Sequence, residues 1–61
     1  MTFEEIKVGQ RFRISGELTE LIRHPKTEVE GKVINAEYVT GPWKNEFLEV
    51  MWETKVNPIR K

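Results

Sequence analysis

Cysteine and aspartate are absent from this 61-residue chain, and histidine and serine occur once each, at His24 and Ser15. Without cysteine there is no disulfide and no thiolate-bound zinc. One imidazole backed only by glutamates is a poor donor set for a transition metal, so neither a metal nor a cofactor is expected. Ser15 has no nucleophile-elbow setting, and no glycine-rich phosphate loop occurs. His24 precedes Pro25 in a basic loop, with no nucleophile or acidic orienter beside it in sequence, and reads as a surface residue. Catalysis is therefore not expected. The chain also lacks an apolar run long enough to span a bilayer and a signal-peptide pattern at its start, which makes the cytoplasm the expected compartment.

Net charge is missing as well, since ten basic and ten acidic side chains cancel. The cancellation hides a segregation. Residues 7–26 carry five cations against Glu17 and Glu20, residues 28–53 carry six glutamates against Lys32 and Lys44, and Lys55, Arg60 and Lys61 are basic again. A neutral molecule of this kind has one basic and one acidic side. At this length residues 1–61 make a single domain near the lower limit for folding without staples, so a compact apolar core must carry the stability.

What is present is alternation. Phe3 and Ile6, three apart after Thr2 and with Glu5 in the capping-box position, suit one short helical turn lying on the core, ended by Gly9. From Gln10 the period becomes two, with Phe12 and Ile14 pointing one way and Arg11 and Arg13 the other, until Ser15-Gly16 breaks the strand. Residues 17–24 satisfy two patterns: Leu18, Leu21 and Ile22 a helical turn, and Leu18, Glu20 and Ile22 an alternating strand. His24-Pro25-Lys26 reads as a loop.

Residues 28–40 read as one long strand with a phase fault, because Val29 and Val33 are odd while Ile34, Ala36 and Tyr38 are even. Gly31 then marks a bulge or bend. The Gly41-Pro42-Trp43-Lys44-Asn45 loop joins it to a strand at 46–53. Pairing Thr40 with Glu46 sets Tyr38 against Leu48, Ala36 against Val50 and Ile34 against Trp52 on a core face. A short strand at 57–60 ends the chain.

A bent central strand, a long first connection and a short last strand after a tight turn resemble the SH3-like barrel, the KOW type included. The opening Phe3-Glu4-Glu5-Ile6-Lys7-Val8-Gly9-Gln10-Arg11-Phe12-Arg13-Ile14 is similar to the entry of such barrels. The resemblance implies an all-β fold of about five short strands with a helical turn at the N-terminus, and first and last strands side by side. The acidic, tyrosine-rich first loop of polyproline-binding SH3 domains is missing, so polyproline recognition is not expected. Stand-alone barrels of this size also resemble small accessory proteins of bacteria and their phages.

Two surfaces follow. The register above places Val39 opposite Phe47, Glu37 opposite Glu49 and Asn35 opposite Met51 on the outer hairpin face. Facing like charges destabilise an isolated pair. That face, with Trp43 at the loop tip, is a candidate for docking another protein or for a homodimer contact. It is also a surface that Leu18, Leu21 and Ile22 of the first connection could cover, with Arg23 or Lys26 neutralising the glutamates. Glu37 and Glu49 as a catalytic or metal pair lack any surrounding pocket signal. The second surface is a basic stripe of Arg11, Arg13, Arg60 and Lys61, near Lys7, with Lys44 and a stacking Trp43, which would suit nucleic acid. Against it stand the zero net charge and neutralisation by Glu4, Glu5 or Glu53. The leading expectation is a non-enzymatic module that binds another protein. A nucleic-acid-binding barrel and a homodimer are the alternatives.

Overall fold

The computed structural model describes residues 1–59. A 3-10 turn at Phe3–Glu5 leads into five strands, β1 (Arg11–Ile14), β2 (Glu20–Val29), β3 (Lys32–Tyr38), β4 (Phe47–Leu48) and β5 (Val56–Pro58). They form one antiparallel sheet in the order β4-β3-β2-β1-β5, a meander with the last strand returned beside the first. This is a small all-β fold, with β1 and β5 adjacent as the resemblance implied. Among the described residues no ladder joins β4 to β5, and no helix is long and apolar enough to cross a membrane.

The opening turn forms where its spacing predicts. The Thr2 N–H and hydroxyl both donate to Glu5 Oε1, at 2.9 and 3.2 Å. The bond from the Thr2 backbone, then that from its hydroxyl, holds the Glu5 carboxyl below the ordinary glutamate range. Phe3 and Ile6 are fully buried. Gly9 then swings the chain into β1 with φ 88° and donates its N–H to Arg23 O.

The ambiguous segment is irregular at 17–19 and a strand from Glu20 onward. Leu21 enters the core, Ile22 takes the opposite face, and Leu18 is 91% exposed. His24-Pro25-Lys26 lies inside β2, not in a loop. The β2–β3 register shifts between Arg23 and Thr27, and Pro25, which has no N–H to give, sits in that interruption.

The phase fault at 28–40 marks a boundary between strands instead of a bend within one. Val29 pairs with Lys32, and Glu30 and Gly31 both have positive φ, 52° and 79°. That is the signature of a two-residue type I′ hairpin turn, with glycine where the left-handed backbone favours it. Val29 belongs to one strand and Val33 to the next, so no single strand has to bury both sets.

The second hairpin is offset by two residues from the expected register. Ala36 pairs with Leu48 and Glu37 with Phe47. The cause is the loop. Tyr38 N–H donates to Glu46 O and Asn45 N–H to Tyr38 O, at 2.9 and 2.8 Å, and Asn45 takes φ 75°. An even offset preserves side-chain alternation, so Ala36, Tyr38 and Leu48 still face the core. The strand expected at 46–53 is reduced to two residues, and the last strand, expected from residue 57, begins at Val56 and runs to Pro58, with residue 60 of the expected span outside the described residues.

The reason β4 stops is Asn35, only 2% exposed. Its side-chain amide donates to Val50 O at 2.9 Å, and its Oδ1 accepts from Val50 N–H at 2.7 Å. One side chain thus satisfies both backbone groups of a residue that has left the ladder. Val50 is thereby drawn into the core of Phe3, Ile6, Phe12, Leu21, Ala36 and Val56. Trp52, expected in that core, is 38% exposed and stacks on Phe3 with centroids 5.6 Å apart.

Candidate interaction surface

The sheet register assembles one transverse row on the outer face: Arg11 on β1, Ile22 on β2, Glu37 on β3 and Phe47 on β4. His24, two residues beyond Ile22, joins it. His24 Nε2 lies 2.8 Å from Glu37 Oε1, and its ring packs 5.3 Å from that of Phe47. Glu37 therefore meets His24, not Glu49, which lies beyond the end of β4 on the exposed chain. The like-charge conflict expected across the hairpin does not arise.

Of the expected docking residues, the pairing brings Glu37 and Phe47 together but does not place Val39, Glu49 or Met51 opposite partners on that face. Val39 is half-buried and its N–H donates to Glu20 O, Met51 lies past Val50, and Asn35 points inward. Nor does the first connection cover the face. Leu18 stands in solvent and Leu21 in the core, while Ile22 is part of the face itself. Phe47 keeps 53% of its surface exposed.

Trp43 divides its surface. Its ring packs on Tyr38 with centroids 5.6 Å apart, yet 51% of the residue is exposed. The loop that carries it is pinned at Gly41. A Cβ there would lie 3.1 Å from Thr19 Cγ2, and φ 84° already favours glycine.

Beyond Phe47 the surface continues into a groove of about 280 Å³ lined by Val29, Glu30, Lys32, Ile34 and Phe47. Val29 and Phe47 are both more than half exposed. Reading 28–40 as one strand concealed this feature. Once Glu30-Gly31 is recognised as a hairpin turn, Val29 and Ile34 come to the same end of the molecule.

The basic stripe is modified too. Arg13 Nη2 lies 3.5 Å and Arg11 Nη1 3.9 Å from Glu20, so one carboxylate is shared by both guanidinium groups. Glu20, not Glu4, Glu5 or Glu53, is the neutralising residue. Arg60 and Lys61, the other half of the expected stripe, lie outside the described residues. Arg23 turns the other way. Its guanidinium lies 5.1 Å from both the Phe3 and Trp52 ring centroids and donates to the Ile6 and Glu4 carbonyls. It fastens the N-terminal turn to the sheet. Among the described residues, no three histidine or acidic side chains are gathered as a metal site would need.

The fold and surface define a small antiparallel β domain with a half-exposed aromatic face. No family model, curated protein or solved structure matches this chain.

Proposed function

We propose that this chain is a non-enzymatic binding module that docks onto another protein through the Phe47 side of the sheet and the Trp43 loop. Phe47 carries the reading. It is an aromatic side chain more than half exposed on a domain too small to spare apolar surface, beside an apolar groove. Aromatic anchors of this kind supply much of the energy of protein interfaces. The sharing of Glu20 by Arg11 and Arg13 favours protein over nucleic acid, because a compensated guanidinium contributes less to a phosphate-binding field.

Affinity capture from the native host tests this, with both proteins and nucleic acids recovered. The expected result is a protein retained by the wild type and lost with Phe47→Ser and Trp43→Ala, both variants melting as the wild type does. Recovery of nucleic acid alone, released by salt, would overturn the reading. Unfolding of both variants would make these residues structural and the surface misassigned.

A further inference from the structure

We infer that the occupant of this surface is an extended segment of a partner protein, bearing lysine or arginine, that adds as a strand beside β3 at residues 32–35. The inference rests on the docking role proposed above and names the kind of partner.

The backbone supplies the first observation. β3 is seven residues long and β4 only two, and their pairing covers Ala36 and Glu37 alone. An antiparallel strand directs alternate N–H and C=O groups to each side. On the side away from β2, residues 32–34 therefore have no ladder partner among the described residues. An open stretch of this sort is a template for a further strand.

The second observation is the groove at the same place. An extended segment sends alternate side chains to one face, so an aliphatic residue of the added strand would enter the space between Val29, Ile34 and Phe47. The third is charge. Glu30 lines the groove, and Glu28 and Glu46, the neighbours of its lining residues Val29 and Phe47, are exposed. None of the three makes an ion pair among the described residues, against the single lining cation Lys32 and exposed Lys26 further along β2. A second copy would bring this acidic surface against itself. Charge selects a basic segment over self-association.

The probes are a short capped peptide alternating lysine with valine, the same peptide with glutamate for lysine, and an N-methylated form of the first that cannot donate along its backbone. The full chain is used throughout. Only the first peptide is expected to bind. Its binding should slow amide exchange at those alternate residues of 32–35 whose N–H faces away from β2, weaken with salt and fall at least about tenfold in Phe47→Ser. Equal binding of the N-methylated peptide would overturn strand addition, and equal binding of the glutamate peptide would overturn the charge selection. A homodimer with the same slowed amides would put a second copy in the groove and overturn the proposal. Each of these failures leaves capture of a host protein through Phe47 intact. Failure of the docking role itself shows differently, as capture that survives Phe47→Ser.

Discussion

The two ends of the sheet use aromatic residues in opposite ways. At the β1–β5 end the N-terminal segment closes the structure. Thr2 bridges Lys55, Phe3 N–H donates to Thr54 O, Val56 N–H donates to Met1 O, and Phe3 and Phe12 are fully buried with rings 5.2 Å apart. At the β3–β4 end the ladder stops after two residues, and Phe47 and Trp43 stay half in solvent. The same residue type is structural at one end and available at the other. Strand length and backbone pairing decide which.

The strongest way to break the comparison is at the closed end. Phe12→Ala should cost about 3–5 kcal/mol, enough to unfold a domain of this size, and urea denaturation will read it. Asn35→Ala comes next. It strands the Val50 N–H and C=O and should cost about 2–6 kcal/mol, since each buried group left without a partner costs about 1–3 kcal/mol. At the open end, Phe47→Ser should change folding stability by less than about 1 kcal/mol. A loss as large as that of Phe12→Ala would erase the distinction between the ends.

The smallest expected effect lies at the capping box. The Glu5 carboxyl is held below its ordinary range by Thr2, so it contributes stability that is full above the ordinary glutamate value. That contribution is lost as pH falls through the lower folded value. Glu5→Gln should lower the melting temperature slightly at neutral pH and match the wild type in acid, so that the acid limb of the profile flattens.

Local rules made the closed end legible. Phe3, Ile6 and Phe12 follow from spacing alone, and Ser15-Gly16 ends β1 as expected, with φ 88° at Gly16. The open end depends on long-range choices. Glu30-Gly31 is a weaker hairpin signal than an asparagine or aspartate before glycine, so the β2–β3 boundary stayed hidden and the groove with it. The two-residue offset beyond Tyr38 arises from left-handed Asn45, a conformation asparagine tolerates without advertising it. Pairing Glu37 with His24 required knowing that a segment containing Pro25 continues a strand across a register shift. Of the expected docking residues, Phe47 and Trp43 keep exposed surface and Glu37 joins Phe47, whereas Met51, Glu49 and Val39 were placed by a register the chain does not adopt.

Asn35 also governs a competition. By holding Val50 inside, its amide keeps the chain after Leu48 from running on along β3. Without it, the Val50 N–H and C=O are stranded unless residues 49–52 pair along the open backbone of 32–34, which would fill the groove from within and lower the cost of Asn35→Ala. One buried side chain thus keeps that edge from being spent on the protein's own sequence, and a change at this position would set residues 49–52 in competition with the strand addition inferred above.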